Sequence, residues 1–303
     1  MASASTIDSP TCTNCGSACR LHFRTKDYNR KISDEQFSHY LCTQCALLFI
    51  HPAPSDLGSY YPRDYHHIPD SVTFLEANHK HENYKVNIIL RFKASGRLLE
   101  IGPSLGTFAF AAKRAGFDVH TIEMNEDCSR YLNEVAKIPT VNASDIDSAL
   151  QALEPFDVIA LWHVIEHLVD PWTTFAHIAK NLKPGGICVL AAPNPNAFQF
   201  KAMGKRWPHV DAPRHLYLIP QEILAKQAEK CGLQLEFATT DDEGARGWNT
   251  FGWEYWLGNF VRHPRINRLL RRFGRKLARV VSHWDQAQGC GSAYTLVFRK
   301  IRS

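Results

Sequence analysis

The sequence predicts an α/β fold with a doubly wound, mainly parallel seven-stranded sheet and a small zinc-ribbon-like module at the N-terminal end. Seven apolar, strand-like runs lie between residues 98 and 298, and helical patterns separate most of them. Two Cys-x-x-Cys pairs lie within the first 45 residues. A chain of 303 residues can hold one substantial domain and a smaller unit. We expect the zinc module over residues 1–70 and the larger domain over residues 71–303.

The first segment carries the predicted metal site. Cys12 and Cys15 form one pair and Cys42 and Cys45 the other, and four thiolates suit the tetrahedral geometry of structural Zn²⁺. We expect the residues between the pairs to form a hairpin. Four ordinary thiols or a redox pair are the alternatives. Three further potential ligands lie nearby: Cys19, His22 and His39.

The composition indicates a cytoplasmic protein. No stretch is apolar enough to span a bilayer, and residues 1–6 lack the basic and apolar regions of a secretory signal. In that compartment the nine cysteines are expected as thiols or metal ligands rather than as disulfides.

A strand, a glycine turn and a helix follow one another at residues 97–114. The turn contains Gly102 and Gly106, and it brings backbone N–H groups and the positive end of the helix together. Such a site suits a nucleotide or a cofactor with a carboxylate. Glu123 ends the next strand about 20 residues later, where its carboxylate can accept hydrogen bonds from ribose hydroxyls. Polar residues at 142–145 follow the third strand, where an adenine amino group could bind.

The fourth strand, residues 155–162, is followed by His163, Glu166 and His167 at the edge where open α/β sheets bind ligands. The spacing His-x-x-Glu-His differs from the His-Glu-x-x-His of zinc proteases, and no third ligand is evident in the sequence, which disfavours a metal here. Residues 183–186 are predicted to end the following helix in a turn.

Together these stretches resemble class I S-adenosylmethionine-dependent methyltransferases, which have a Rossmann-like fold. The likeness is to members with an N-terminal zinc-binding module, such as sugar C-methyltransferases. It covers residues 10–65 and 95–300 and rests on four matches: residues 99–106, Glu123, residues 162–167 and residues 182–186.

The resemblance implies S-adenosylmethionine as cofactor and assigns residues to it. The turn from Gly102 to Gly106 would hold the methionine part, Glu123 the ribose, and Asp145 would lie near the adenine, with His163 under the sulfonium. The whole implied cofactor set is Glu100, Gly102, Ser104, Gly106, Glu123, Met124, Asp145, Trp162 and His163. The family commonly has glycine where Ser104 stands, so Ser104 would either widen the turn or bond the cofactor carboxylate.

A second match is residues 211–216, which resemble an Asp-x-Pro-Arg-His-Leu motif of related methyltransferases. His215 can take a proton from an acceptor hydroxyl, and Arg214 can bind a phosphate or carboxylate through two parallel hydrogen bonds. We therefore name His215, Arg214 and His163 as the candidate catalytic residues. The alternative for this loop is a structural one, in which an aspartate–arginine pair pins it. The aromatic stretch at residues 60–67 is either packing surface or part of the cleft.

Residues 246–291 form a basic, aromatic insertion between the sixth and seventh strands. Residues 262–279 hold eight of the 35 Lys and Arg residues and no acid, so the remaining chain has 27 bases against 30 acids. The segment suits a lid helix with a solvated basic face, an anionic membrane surface, an acidic carrier protein or a phosphorylated substrate. Nucleic acid is a less favoured partner.

These observations favour methyl transfer to a small-molecule or glycan (nucleotide-sugar) acceptor, most readily at oxygen, because the long C-terminal domain of the sugar C-methyltransferases is absent from this sequence. Two alternatives stay open: an RNA methyltransferase that uses the zinc module and the basic helix to hold nucleic acid, and a non-catalytic, zinc-dependent interaction protein.

Overall fold

The structure, a computed structural model, describes residues 9–62 and 65–301. The expectation for residues 1–6 and the Arg63 and Asp64 positions of the aromatic stretch lie outside these described residues.

A seven-stranded sheet forms the centre of the molecule. Its strands are β4 (Arg97–Ile101), β5 (Asp118–Glu123), β6 (Thr140–Asn142), β7 (Phe156–Trp162), β8 (Leu182–Pro193), β10 (Leu233–Thr239) and β11 (Ala293–Lys300). They lie in the order β10-β11-β8-β7-β4-β5-β6. Neighbours from β8 to β6 pair in parallel, whereas β11 is antiparallel to both of its neighbours. The predicted mainly parallel, seven-stranded sheet is confirmed.

Helices cover both faces of this sheet because alternate residues of each strand point to opposite sides. In β7, Ile159 and Leu161 enter one apolar core, and Val158 and Ala160 enter the other. The helices are α1 (Thr73–Asn78), α2 (Asn83–Leu90), α3 (Thr107–Arg114), α4 (Glu126–Glu134), α5 (Ile146–Gln151), α6 (Pro171–Lys180), α7 (Phe198–Met203), α8 (Gln221–Lys230), α9 (Glu243–Gly258), α10 (Pro264–Val280) and α11 (Ser282–Asp285).

The start of α6 follows the sequence signals, but its end does not. Asp170 caps the helix by accepting hydrogen bonds from the N–H groups of Trp172 and Thr173, and Pro171 is the first helical residue. Residues 183–186, predicted as the turn after this helix, instead belong to β8. They bulge out of the pairing with β7, since Phe156 pairs with Leu182 and Val158 pairs only with Ile187.

The N-terminal segment forms a second, antiparallel sheet. Strands β1 (Cys19–Thr25), β2 (Phe37–Cys42) and β3 (Leu48–Ile50) pair in sequence, which gives the predicted hairpin between the two cysteine pairs. The fourth strand, β9 (Tyr217–Leu218), comes from the larger segment and pairs with β3. Because the two segments share a sheet, the division at residue 70 stays a prediction.

One buried side chain joins the two segments. The Arg214 guanidinium is fully buried, and its Nη2 lies 2.7 Å from Asp27 and 2.8 Å from Asp211. Asp27 follows β1, and Asp211 lies just ahead of β9. The pair therefore holds the loop of residues 211–215 against the N-terminal hairpin.

The insertion is an antiparallel pair of long helices, α9 and α10. Gly274 of α10 lies against the backbone of α9, where a Cβ would be only 2.6 Å from the Trp253 carbonyl oxygen. None of the helices in the described ranges combines the length and apolar character needed to cross a bilayer.

We predict that Asp27→Asn lowers the free energy of unfolding by about 3 kcal/mol, because it leaves part of the buried charge of Arg214 uncompensated. The matched control is Asp34→Asn, which breaks an exposed ion pair with Lys26 and is expected to leave the urea midpoint unchanged. Urea unfolding followed by circular dichroism measures both. Equal effects of the two variants would contradict the anchoring role of Arg214.

Candidate functional site

The turn between β4 and α3 has a backbone that suits close contact with a ligand. Gly102, Ser104 and Gly106 all have positive φ angles, of 70°, 54° and 77°. A Cβ on Gly102 would lie 2.8 Å from Val164, and one on Gly106 would collide with Leu132. Only glycine therefore fits these two positions. Ser104 takes the same left-handed conformation despite its side chain, which explains why glycine suits this position.

The side chain of Ser104 contacts the aromatic stretch of residues 60–67, because its hydroxyl lies 3.1 Å from His66 Nδ1. The two outcomes expected from the sequence, a wider turn or a bond to the cofactor carboxylate, stay predictions. The Ser104 N–H donates to Glu123 Oε2 over 2.9 Å. The turn is thereby tied to the end of β5.

Glu123 ends β5 next to this turn and is buried. Its carboxylate accepts hydrogen bonds from the N–H groups of Ser104 and Asn125, at 2.9 and 2.8 Å. Burial raises the pKa of Glu123, and these hydrogen bonds oppose that shift. A carboxylate has about four lone-pair sites, so two remain for the hydroxyls of a ribose.

Two buried polar atoms at the same sheet edge have no hydrogen-bond partner among the described residues: Glu100 Oε2 and Trp162 Nε1. Burial raises the pKa of Glu100 to about 8. Buried polar atoms without partners are rare in folded proteins, and a cofactor with ammonium, carboxylate and hydroxyl groups would supply the missing partners. The residues present therefore fit S-adenosylmethionine.

Two of the residues assigned to the cofactor, Met124 and Asp145, lie at the surface. Met124 follows Glu123 with an exposed side chain. Asp145 is also exposed, and its carboxylate caps α5 by accepting a hydrogen bond from the Ser148 N–H at 3.1 Å. The capping role of Asp145 accounts for its position without a ligand, so its contact with adenine stays a prediction.

His163 follows β7 in a left-handed conformation, with φ at 58°. Its Nδ1 lies 3.4 Å from Glu166 Oε1, and its ring packs against Trp248 of α9 with the ring centres 4.7 Å apart. Burial lowers the pKa of His163 to about 3, so the imidazole is neutral at physiological pH. Glu166 is 1% exposed, and neither carboxylate oxygen has a hydrogen-bond partner among the described residues.

His215 and His167 meet edge to face beside Glu166, with ring centres 4.6 Å apart. In each ring Nδ1 lies against a backbone carbonyl: 2.8 Å from His209 O for His215, and 3.0 Å from Arg214 O for His167. A carbonyl only accepts, so Nδ1 of His215 carries the proton and its Nε2 keeps a lone pair. Burial lowers the pKa of both rings, that of His167 to about 4.

In this cluster His215 is a third potential metal ligand beside Glu166 and His167, which the sequence did not reveal. One potential ligand atom from each of Glu166, His167 and His215 lies within 4.8 Å of the others, which is close enough to hold a divalent cation. Chain folding brings His215 there from 48 residues further along the sequence.

Arg214 does not face this cluster. Its guanidinium is fully buried, and Asp27, Asp211 and the Tyr60 carbonyl accept its hydrogen bonds. The predicted binding of a phosphate or carboxylate by Arg214 is corrected here, because no part of its guanidinium is free to contact an acceptor. An aspartate–arginine pair instead holds the loop in place, which was the structural alternative.

The structure places three residues at the site that were not predicted from the sequence as site residues. Lys85 of α2 places Nζ 4.8 Å from the Trp162 ring centre and 2.7 Å from a Glu82 oxygen. Tyr61 approaches His167 Nδ1 through its hydroxyl at 3.0 Å. Trp248 covers His163. The aromatic stretch had drawn attention to Tyr61, but no local pattern distinguishes Lys85 or Trp248 from ordinary surface and core residues.

The four cysteines of the two pairs lie close together where β2 ends at Cys42. Their Sγ atoms are 3.5–3.6 Å apart for Cys12–Cys45, Cys15–Cys42 and Cys15–Cys45. A tetrahedron of sulfur atoms about 2.3 Å from Zn²⁺ has edges of about 3.8 Å. The N–H groups of Gln44 and Cys45 point at Cys42 Sγ, both at 3.4 Å. Cys19, His22 and His39 are not part of this group.

Comparison with known proteins supports the same interpretation. The family described as a methyltransferase domain matches residues 77–236, which is more than half of the chain. The chain belongs to this family. With its strand order and its glycine turn, it is a class I, S-adenosylmethionine-dependent methyltransferase.

The methyltransferase is similar to curated relatives named ubiquinone biosynthesis O-methyltransferase. The protein from Psychrobacter cryohalolentis is 27% identical over 177 residues, which cover 55% of this chain and 68% of the relative. That from Vibrio cholerae is 26% identical over 215 residues, or 62% of this chain and 82% of the relative.

Solved structures share the fold of the methyltransferase. A putative sarcosine dimethylglycine methyltransferase from Galdieria sulphuraria superposes with a TM-score of 0.50 at 14% identity, covering 74% of this chain and 86% of that one. A chain from the complex of the Haloferax volcanii Trm112 methyltransferase activator with a putative methyltransferase also gives 0.50, at 13% identity, with coverage of 76% and 93%.

We predict that Glu123→Gln weakens binding of S-adenosylmethionine by about 10- to 100-fold, because hydrogen bonds from hydroxyls to a charged acceptor are lost. Isothermal titration calorimetry measures the affinity. The control is Glu126→Gln, an exposed acid in the next turn of chain, which should bind the cofactor like the unmodified protein. Equal affinity of the Glu123 variant and the control would contradict a role of Glu123 in cofactor binding.

Proposed function

We propose that this methyltransferase transfers the methyl group of S-adenosylmethionine to a hydroxyl oxygen of a small-molecule or glycan-precursor acceptor, with His215 as the proton acceptor. The observation that carries the proposal is the position of the His215 ring. Its Nδ1–H donates to the His209 carbonyl, and its neighbour Glu166 is buried with no hydrogen-bond partner among the residues that the structure describes. The relatives named O-methyltransferase support oxygen as the atom that is methylated.

In this proposal the cofactor lies across the carboxyl edge of β4 and β5. The turn from Gly102 to Gly106 holds its methionine part, and Glu123 accepts hydrogen bonds from its ribose. Asp145 would lie near the adenine, and Met124 would also contact the cofactor. His163 lies under the sulfonium, where its neutral ring adds no repulsive charge.

The chemistry that the bound cofactor supplies is a methyl group made electrophilic by a positive sulfur. The chain contributes alignment of the acceptor and removal of its proton. His215 Nε2 takes the proton as the acceptor oxygen forms its new bond, and the imidazolium that results is next to the Glu166 carboxylate. Burial of these groups keeps water out and strengthens that attraction.

We predict that His215→Gln lowers kcat by about 10²- to 10⁴-fold and leaves the affinity for S-adenosylmethionine unchanged, because the side chain acts on the acceptor and not on the cofactor. The assay follows the tritiated methyl group into a small-molecule extract, and mass spectrometry identifies the labelled product. His81→Gln, at an exposed position, is the control and should keep full activity.

Three outcomes would count against this function. Label on nitrogen or carbon would contradict oxygen as the acceptor atom, and label in the RNA fraction would contradict a small acceptor. Turnover that requires an added divalent cation would assign Glu166, His167 and His215 to a metal site in place of proton transfer.

We also propose that Cys12, Cys15, Cys42 and Cys45 hold one structural Zn²⁺. The spacing of the four sulfur atoms and the two N–H groups that point at Cys42 support this set. With four protein ligands the site has no open position, so its role is to stabilise the N-terminal hairpin. A cytoplasmic location, where thiols stay reduced, suits the site.

We predict about one Zn²⁺ per chain by atomic emission, and its loss in Cys42→Ser/Cys45→Ser. Cys231→Ser, a partly exposed cysteine outside the group, is the control and should retain the metal. Zinc retained after substitution of both Cys42 and Cys45 would contradict the proposed ligand set.

A further inference from the structure

We propose that α10 docks this methyltransferase on the surface of an anionic phospholipid bilayer. The helix presents an exposed row of four side chains, Ile266, Leu269, Phe273 and Val280, which we call the apolar stripe. Leu269, Phe273 and Val280 are 66%, 60% and 71% exposed. Their spacing of three, four and seven residues places all four on one face of the helix.

The packing of α10 fixes this face outward. Gly274 and Ala278, on another side of the helix, are buried against α9. A Cβ on Gly274 would be 2.6 Å from the Trp253 carbonyl, so the two helices approach closely only in this orientation. Rotating the apolar stripe inward would place a bulky side chain where only glycine fits. The stripe therefore stays in water unless another surface covers it.

The charge beside the stripe is positive. No acidic residue occurs between Glu254 and Asp285. Two of the eight cations in this segment interact within the protein: Arg275 pairs with Glu254, and Arg271 stacks on Tyr255. The other six have no ion pair in the part of the chain that the structure describes: Arg262, Arg265, Arg268, Arg272, Lys276 and Arg279.

A bilayer surface with acidic headgroups matches both features at once. Its phosphates attract the six cations, and its acyl boundary takes the apolar stripe out of water, as in helices that lie in the membrane plane. Nucleic acid would meet the cations but leave the four apolar side chains hydrated. The helix also lacks the apolar character needed to span the bilayer, so a position in the interface is the one that suits it.

The helix pair α9–α10 also contacts the proposed acceptor site, next to His163 and His209. Trp253, on which Gly274 packs, lies on α9, and so does Trp248, which contacts the rings of His163 and His209. Docking through α10 would thus place the enzyme where an acceptor dissolved in the membrane is available. This last step rests on the proposed function, whereas vesicle binding does not.

The test is co-sedimentation of the full chain, without acceptor, with vesicles of phosphatidylcholine alone or of equimolar phosphatidylcholine and phosphatidylglycerol. We expect binding to the anionic vesicles that weakens with salt, and none to the neutral ones. Leu269→Asp/Phe273→Asp and Arg268→Glu/Arg272→Glu should each weaken binding by about tenfold or more. An unchanged affinity for S-adenosylmethionine shows that each variant is folded.

Matched controls place the same changes elsewhere on the surface. Ile301→Asp alters an exposed apolar residue, and Lys226→Glu/Lys230→Glu reverses two exposed charges on α8; both should bind anionic vesicles normally. Equal binding to neutral and anionic vesicles would overturn the proposal, as would normal binding by the Leu269/Phe273 variant. Preferential binding of a short single-stranded RNA that is insensitive to the Leu269/Phe273 change would assign the surface to nucleic acid.

Discussion

The position of the loop that carries His215 depends on the buried ion pairs of Arg214. Its guanidinium joins Asp27, in the N-terminal hairpin, to Asp211, in the loop that ends at His215. Charges this deeply buried contribute little net stability, but loss of one partner is costly because it leaves the other uncompensated. The pairs therefore specify one position for the loop. The pairing of β3 with β9 holds the same loop at its other end.

This arrangement gives the N-terminal module a structural role beside the larger sheet. The module supplies Asp27, which holds the loop that carries His215. The segment after the module brings His66 to Ser104 in the glycine turn and Tyr61 to His167. With the proposed Zn²⁺ bound, the N-terminal hairpin would be rigid enough to position these contacts. The helix pair α9–α10 closes the opposite side through Trp248. The proposed acceptor site around His215 is thus assembled from three separate parts of the chain around the edge of one sheet.

The fold was predictable because its signals are local. Each strand of the large sheet is an apolar run between turn signals, and two pairs of cysteines with short spacing indicate a common metal. The glycine turn between β4 and α3 was predictable too, since Gly102 and Gly106 are needed for their backbone conformation. Residues 183–186 show where local signals fail. A Lys-Pro-Gly-Gly run is typical of a turn, but β8 pairs with β7 on both sides of this run, which therefore forms a bulge within the strand.

By itself the sequence determined the sheet, the cysteine group, the glycine turn after β4 and the acid at the end of β5. Only the tertiary structure separated Arg214 from His215. They are neighbours in one motif, and the sequence made both candidate catalytic residues. In the structure Arg214 is fully buried between two aspartates, whereas His215 lies beside Glu166 and His167. Burial and partners depend on which distant segments arrive at a residue, and no local pattern encodes them. The same reason explains why Lys85 and Trp248 emerged only from the folded chain.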